Sequence, residues 1–235
     1  MEMKPKYNHQ QNVKQANKIF KQVDFDALGA SIAALMTTSS TAYGSDCLMC
    51  TGIVKSFLER KGLSPEWVIG EVAWRVDGKD DGAVVSHTVN TLPSTVHIPE
   101  VEGVKAGIFH AWLKLNPVWY LDITTFQLAK KMEILDMHDN RATPVSWRPE
   151  FLIFKESDIS TFKEVQQSYD SGVFWYKKGA AFVSDPDTVT QRQEALIDSE
   201  DVDMLEFMYS QCIKGNEMAV IGPSGSYKMK SNKAV

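Results

Sequence analysis

Apolar positions near the start of the chain recur at the spacing of a helix face. Between residues 10 and 36 they fall at three- and four-residue intervals, as at Ala16, Ile19, Phe20 and Val23. The segment CLMCTGIVKSFLERK, residues 47–61, has a similar periodicity and is followed by Gly62, a residue type that commonly ends helices. The pattern predicts one helix over 10–36, a loop of small residues over 37–46 and a second helix over 47–61.

From residue 66 onward, β-branched and aromatic residues dominate and predict strands. The predicted strands are EWVIGEVAWRV (66–76), GAVVSHTVN (82–90), KAGIFHAWLKL (105–115), VWYLDIT (118–124), FLIFK (151–155) and GVFWYKK (172–178). DGKDDG at 77–82 predicts a turn, and helices are predicted at 125–132 and, in one or two pieces, at 191–214. Helices first and an antiparallel sheet afterwards indicate an α+β fold.

The chain contains no internal repeat and no segment with the composition of a linker between domains. Residues 1–222 are therefore predicted to form a single α+β domain. The remainder, residues 223–235, is small and polar and is predicted to be a flexible tail.

Composition narrows the class of protein. Hydrophobic residues make up 43% and charged residues 23% of the 235 residues, as in ordinary soluble proteins. The net charge of −5 gives no reason to expect a nucleic-acid partner, and no apolar stretch approaches the roughly 20 residues that span a bilayer. The first residues have no apolar signal-peptide core and the three cysteines are an odd number, so we expect a cytoplasmic protein with reduced thiols. A protein exported without a signal peptide would have the same composition.

Cys47 lies where the small-residue loop becomes the second helix, which Ser45 or Asp46 can cap. A thiol in the first turn meets unpaired backbone N–H groups and the positive end of the helix dipole, and both favour the reactive thiolate. The carboxylate of Asp46 opposes this effect unless its charge is engaged in capping. Cys50 lies one turn deeper, on the face that also carries Val54, and is predicted to belong to the core.

Three other interpretations of these cysteines remain open. Free cysteines are commonly buried and inert, in which case the domain would be a binding module. Cys47 and Cys50 also form a CxxC pair at a helix start, as in thiol redox proteins, although such motifs normally follow a strand. A zinc site ranks lowest, because a second close pair of ligands is missing from the sequence.

A thiol nucleophile needs a base, and the base needs an acceptor that orients it. His110 and Asp122 interrupt the apolar stretch GIFHAWLKLNPVWYLDITTF and can fill these roles if they lie on one face of a hairpin. A two-residue turn at 116–117 would put them on opposite faces, whereas a three-residue loop at 116–118 would make them diagonal neighbours. The hypothesis therefore requires an odd-length loop or a bulge. His87 is the reserve base.

Two segments together, DCLMCTGIVKSFLERKGLSPEWVIGEV and FHAWLKL…WYLDITTF, resemble the transglutaminase-like branch of the papain-like cysteine enzymes. In that family a Cys opens a helix, a Gly ends it, a strand follows, and His-x-Trp and Asp-x-Thr lie on adjacent strands. The corresponding positions in this chain are Cys47, Gly62, the strand through Gly70, His110 with Trp112, and Asp122 with Thr124. The resemblance covers residues 44–126.

The resemblance implies a Cys47–His110–Asp122 triad, no metal and no organic cofactor. It further implies a papain-like fold and thiol-mediated attack on a peptide or protein amide, including a glutamine side chain. Trp112 and Tyr43 are the predicted substrate-binding residues. The chain departs from the papain branch at the Gln found shortly before the Cys, because Thr41 and Tyr43 stand near that place.

Overall fold

The sheet of this protein is built around one long strand, β1. The computed structural model describes residues 7–39, 47–79, 83–88, 100–101, 104–105, 109–139, 141–179 and 186–229. The α-helices in these ranges are α1 (His9–Ile19), α2 (Phe25–Thr38), α3 (Cys47–Arg60), α4 (Leu128–Asp139), α5 (Phe162–Gln167), α6 (Pro186–Glu194) and α7 (Ser199–Lys214). The strands are β1 (Glu66–Arg75), β2 (Val84–His87), β3 (Glu100–Val101), β4 (Val104–Lys105), β5 (His110–Lys114), β6 (Trp119–Asp122), β7 (Leu152–Lys155), β8 (Phe174–Lys178), β9 (Met218–Gly222) and β10 (Gly225–Met229).

The helix boundaries follow local capping chemistry. The helix predicted over 10–36 is confirmed for most of its residues but is divided in two, because the chain breaks after Ile19 and restarts at Phe25. The carboxylate of Asp24 accepts a hydrogen bond of 3.0 Å from the backbone N–H of Ala27 and so caps the new helix. The second predicted helix is confirmed: α3 begins at Cys47, and Gly62 follows its end with a φ of 81°, which favours glycine.

Six strands form the main sheet, in the order β2-β1-β5-β6-β7 with β8 also paired to β1. The ladders between these strands are antiparallel. Because β1 has 10 residues, it pairs with β5 through its first half and with β2 and β8 through its second half. The predicted strands at 66–76, 118–124, 151–155 and 172–178 are confirmed to within two residues at each end.

The two faces of the sheet belong to different cores. One face packs against the helices, and its side chains alternate along neighbouring strands: Leu113, Leu121 and Ile153. The other face encloses an aromatic core whose members are Val68, Val72, Trp74, Trp112, Phe154, Phe174 and Tyr176, with smaller apolar residues around them. The sheet is curled, because Tyr176 on β8 reaches Asp122 on β6 although these strands are not neighbours in the sheet.

The end of the described chain is a hairpin rather than the tail that the sequence predicts from Pro223. β10 pairs in register with β9, from Gly225 opposite Gly222 to Met229 opposite Met218. The side chain of Met229 is 1% exposed and belongs to the helical core. The prediction missed β10 because only the alternate residues Tyr227 and Met229 of GSYKM are large and apolar, so the mean composition of this strand resembles that of a loop.

The architecture confirms the α+β class. Helices cover one face of an antiparallel curled sheet, and the chain forms helices before the first strand, as the sequence pattern indicates. In the parts of the chain that the structure describes, every helix is too short or too polar to cross a bilayer.

Candidate active site

The β5–β6 hairpin sets the geometry of the site through the length of its loop. Leu113 pairs with Leu121, and the backbone N–H of Leu115 donates to the carbonyl of Trp119 at 2.8 Å, which leaves residues 116–118 as the loop. The side chain of Asn116 closes this loop by accepting from the backbone N–H groups of residues 118 and 119, both at 2.9 Å. The odd-length loop required by the triad hypothesis is therefore present.

His110 and Asp122 consequently lie on the same face and touch. The Nε2–H of His110 donates a hydrogen bond of 2.8 Å to Oδ2 of Asp122. Both side chains are 0% exposed. Since a buried carboxylate is costly without partners, this pair needs further hydrogen bonds around it.

Two further residues satisfy the carboxylate. Tyr176 donates to Oδ2 of Asp122 at 2.5 Å, while Thr124 donates to Oδ1 from its backbone N–H and its hydroxyl, both at 2.9 Å. Trp74 in turn donates from its indole N–H to the oxygen of Tyr176 at 2.8 Å. Each carboxylate oxygen thus accepts two hydrogen bonds, which fixes the carboxylate beside the imidazole.

Tyr176 and Trp74 were not among the predicted site residues. Tyr176 lies 54 positions from Asp122 in the chain, and only the curl of the sheet brings the two side chains together. A signal was nevertheless present: in FWYKK, Phe174 and Tyr176 alternate with Trp175, which predicts that both face one core. Without the strand order, however, the sequence could not show that this face of β8 meets the face of the β5–β6 hairpin that carries His110 and Asp122.

The electrostatics of the pair keep Asp122 ionised. Burial alone would raise the pKa of Asp122, but the charge of His110 and the hydrogen bonds from His110, Tyr176 and Thr124 lower it well below its usual range. Burial raises the pKa of Tyr176 well above 10.0, and the charge of Asp122 adds to this effect, so the phenol remains a donor.

The pKa of His110 depends on both Asp122 and Cys47. Burial alone would lower the pKa of His110, but the charge and hydrogen bond of Asp122, followed by the polar contact and charge of the Cys47 thiol, raise it above 6.5. The second ring nitrogen, Nδ1, has no hydrogen bond of regular geometry to any residue that the structure describes. Because Asp122 occupies Nε2, Nδ1 is the nitrogen left to exchange a proton with the thiol.

Helix α3 supplies the thiol. Cys47 is its first residue and is partly exposed, while Cys50 is 0% exposed one turn deeper, as predicted for a core residue. The hydroxyl of Thr51, in the second turn of α3, donates to the carbonyl of Ala111 at 3.2 Å and so ties the helix to β5 directly beside His110. This contact fixes the start of the helix against the strand that carries the imidazole.

Close packing beside His110 also depends on Gly70, the residue of β1 that pairs with His110 of β5. A Cβ atom at this position would lie 2.0 Å from the carbonyl oxygen of Lys177 and 2.7 Å from the ring of Trp112. Glycine therefore allows β8 and the indole to approach β1 where the imidazole is held.

Trp112 and Tyr43 were the predicted substrate-binding residues. Trp112 is 2% exposed, stacks on His110 with ring centroids 6.1 Å apart, and contacts the ring of Tyr176 at 5.1 Å. This burial gives it a supporting position in the core rather than a surface for a ligand. Tyr43 lies outside the described residues, as do Thr41, Ser45 and Asp46.

A second histidine and a lysine complete the surroundings. The ring of His87, the reserve base, lies 5.5 Å from that of His110 and contacts Trp74 at 5.8 Å. Burial lowers the pKa of His87 well below 6.5, and the charge of Lys131 adds to this effect. Lys131 was not among the predicted site residues, although it lies on the same side of α4 as the buried Leu128 and Met132, at helical spacing.

The described ranges contain no cluster of three or more His, Cys, Asp or Glu side chains arranged to hold a metal ion. All three cysteines are free thiols. The arrangement offers a thiol at a helix start, an imidazole with a free Nδ1, and a fixed carboxylate behind it. These groups can in principle move a proton from sulfur to nitrogen and back.

Comparison with known proteins adds little to this picture. No protein-family model matches the chain, and no curated protein matches it. One solved structure, described as "The crystal structure of genomics APC5867", aligns with 91% of this chain and 93% of its own at 13% identity and a TM-score of 0.42.

Proposed function

We propose that this protein is a thiol-dependent amide hydrolase or acyl transferase with a catalytic triad. Cys47 is the nucleophile, His110 the general acid and base, and Asp122 the group that orients the imidazole. The observation that carries the proposal is the fully buried His110–Asp122 hydrogen bond of 2.8 Å. The thiol of Cys47 also helps to raise the pKa of this imidazole. We also propose that the fold belongs to the transglutaminase-like branch of the papain-like enzymes, which has this order of Cys helix, His strand and Asp strand.

In the first half of the reaction, the thiol proton of Cys47 moves to Nδ1 of His110. The sulfur forms a bond to the substrate carbonyl carbon, and the carbonyl π electrons move to oxygen to give a tetrahedral oxyanion. In this proposal, backbone N–H groups at the start of α3, including that of Cys47, stabilise this charge. The oxyanion collapses, the bond to the leaving amine breaks, and His110 protonates that amine, leaving a thioester on Cys47.

In the second half, His110 takes a proton from the acceptor, which attacks the thioester. Collapse of the second tetrahedral intermediate releases the acyl product and returns the sulfur as a thiolate beside the imidazolium. With water as acceptor the reaction is hydrolysis, and with an amine it is acyl transfer. We favour hydrolysis of a peptide or protein amide, including a glutamine side chain, because water requires no second binding pocket.

The test is the acyl-enzyme itself. Incubation with para-nitrophenyl acetate, a small activated ester, should release nitrophenolate and leave an acetyl group on Cys47, identified by peptide mass spectrometry. His110→Ala should slow this acetylation at least about tenfold, because proton transfer from the thiol is lost. Cys212→Ser is the matched control: Cys212 is buried, and its pKa is raised by burial and by nearby carboxylates including that of Asp24.

Other outcomes would point to the alternative functions. Slow acetylation spread over all three cysteines and insensitive to His110→Ala would exclude the nucleophile and favour an inert binding module. A disulfide between Cys47 and Cys50 that forms under mild oxidation and is reversed by dithiothreitol, without acetylation of Cys47, would favour a redox protein. Acetylation confined to Cys47 and dependent on His110 would support the triad.

A further inference from the structure

Lys131 is a half-buried lysine that contacts Trp74, one of the residues packed around His110. It belongs to α4, the helix that begins six residues after Asp122. Its Nζ lies over the indole ring of Trp74, 5.2 Å from the ring centroid. The same indole meets the ring of His110 edge-on at 5.1 Å. A single aromatic ring therefore contacts both the ammonium and the imidazole of the proposed triad.

The ammonium of Lys131 lacks a fixed counter-ion within the described part of the chain. Lys55, Lys61 and Lys177 each form an ion pair with a glutamate, whereas none of the ion pairs or hydrogen bonds between described residues involves Lys131. Asp122 cannot supply this partner, because hydrogen bonds from other residues already occupy both of its oxygens. The cation–π contact offsets the cost of burial only in part.

The charge of Lys131 nevertheless reaches the reactive groups. Burial lowers the pKa of Lys131, while negative charge on Asp122, Cys47 and Cys50 acts in the opposite direction. In turn, the positive charge of Lys131 helps to lower the pKa of His87. These effects agree with the ring contacts, in which the indole of Trp74 touches both the ammonium and the imidazole of His110. The three N–H donors of the ammonium are unused by described residues.

We propose that Lys131 binds a carboxylate of the substrate beside Cys47 and thereby selects acyl donors that carry negative charge within a few bonds of the carbonyl under attack. The inference rests on the proposed role of Cys47 as nucleophile and adds the substrate class. A carboxylate supplies the counter-ion that the described residues do not provide: it accepts hydrogen bonds from the ammonium and offsets the burial of its charge.

Two alkylating reagents of nearly equal size test this without a known substrate. Iodoacetate carries a carboxylate and iodoacetamide a neutral amide, and both react by one step in which the sulfur forms a bond to carbon and iodide leaves. The ratio of their rate constants at Cys47 is compared with the ratio for the uncharged thiol N-acetylcysteine amide. We expect the ratio at Cys47 to be roughly five- to tenfold higher, because opposite charges attract strongly in a partly buried site.

Substitutions assign the preference to Lys131. Lys131→Met should lower the iodoacetate-to-iodoacetamide ratio several-fold towards that of the free thiol, with the remaining preference due to the His110 imidazolium, and Lys131→Arg, which keeps the charge, should retain most of the wild-type ratio. Lys130→Met is the matched control, because Lys130 is the exposed neighbour on the same helix and should leave the ratio unchanged. Circular dichroism confirms that each variant is folded. A ratio that Lys131→Met does not alter would overturn the inference.

Paired acyl donors then locate the carboxylate. The para-nitrophenyl monoester of succinate, compared with para-nitrophenyl butyrate, carries it on the acyl side, as an acidic side chain would. Acetoxybenzoate, compared with phenyl acetate, carries it on the leaving group, as the free end of a peptide would. A preference for either charged donor that Lys131→Met abolishes supports the inference. If neither pair shows such a preference, the inference is overturned.

Failure of this inference is distinguishable from failure of the proposed function. If Cys47 is not a nucleophile, iodoacetamide labelling of Cys47 is slow and insensitive to His110→Ala, whatever residue occupies position 131. If only the inference fails, labelling of Cys47 is selective and depends on His110, while Lys131→Met leaves the preference between the two reagents unchanged.

Discussion

Trp74 and Tyr176 are joined by a buried hydrogen bond of 2.8 Å from the indole N–H to the phenol oxygen, and the phenol O–H of Tyr176 donates a second hydrogen bond to Asp122. This chain of donors anchors the carboxylate from a strand that is not its neighbour. Tyr176→Phe would remove the acceptor of the indole and one donor to Asp122 while preserving the ring packing. We expect the free energy of unfolding to fall by about 1–3 kcal/mol, because buried polar groups lose their partners.

Urea unfolding followed by tryptophan fluorescence measures this change. Tyr120→Phe is the matched control, because Tyr120 packs on Phe154 in the same sheet but its hydroxyl makes no hydrogen bond to a described residue. Equal stability of the two variants would show that the Tyr176 hydroxyl does not contribute.

Asp122→Asn tests the carboxylate as an orienting charge. The amide keeps the size of the side chain and an acceptor oxygen, so the protein should fold. The pKa of His110 should fall, because the negative charge of Asp122 is the main effect that raises it. Alkylation of Cys47 by iodoacetamide at about pH 6.5 should therefore slow at least about tenfold, since less imidazolium is available to stabilise the thiolate.

Asp136→Asn provides a comparison for that substitution. Asp136 is also buried and accepts hydrogen bonds from Thr143, but it makes none to the imidazole. It should not alter Cys47 labelling. If Asp122→Asn unfolds the protein and the folded fraction is alkylated at the wild-type rate, the carboxylate is structural.

His87 should make the protein less stable in mild acid. Its folded pKa lies well below 6.5, because burial and then the charges of Lys131 and His110 disfavour its protonation more than Asp122 favours it. Above pH 6.5 the ring is neutral in both states and its contribution is complete. As the pH falls below 6.5, the unfolded chain binds a proton that the folded chain does not, and the free energy of unfolding decreases by at most about 1.4 kcal/mol per pH unit.

His87→Gln removes this proton uptake. Urea titrations between about pH 7.5 and pH 5 should show a shallower pH dependence for the variant than for the wild-type protein. Parallel curves would mean that His87 has the same proton affinity in the folded and unfolded states.

Asn116 should control the stability of the hairpin loop. Its side-chain oxygen accepts two backbone hydrogen bonds, from residues 118 and 119. Asn116→Ala removes both and should lower the free energy of unfolding by about 1–2 kcal/mol. Asn116→Asp keeps an acceptor oxygen at the same place and should retain most of the stability in urea unfolding. If both variants lose the same amount, the loop is held by other contacts.

Local chemistry made parts of the site predictable. The start of α3 at Cys47 and its end before Gly62 follow from a small-residue loop and a terminating glycine. The need for an odd loop between His110 and Asp122 follows from side-chain alternation alone. The actual length of the loop could not be predicted from the sequence, because the Asn116 hydrogen bonds that close the loop depend on backbone geometry.

The remaining parts of the site depend on distant contacts. Nothing in the composition of β8 links Tyr176 to Asp122, since strand order and curvature decide which residues meet across the core. Lys131 resembled an ordinary surface lysine, and only its place among buried neighbours on α4 marks it as different. The break between α1 and α2 was overlooked because apolar periodicity continued through Phe20 and Val23, while the cap at Asp24 decided the boundary.

The three-residue loop at 116–118 means that His110 and Asp122 share a face of the hairpin only when the number of loop residues is odd. Inserting or deleting one residue there would reverse which face every later side chain of β6 occupies, so Asp122 would point into the helical core and Leu121 toward His110. A change of two residues would leave the alternation intact. A library of loop-length variants should therefore keep a functional His110–Asp122 pair only at odd lengths, and this segment of the protein should tolerate length changes in steps of two.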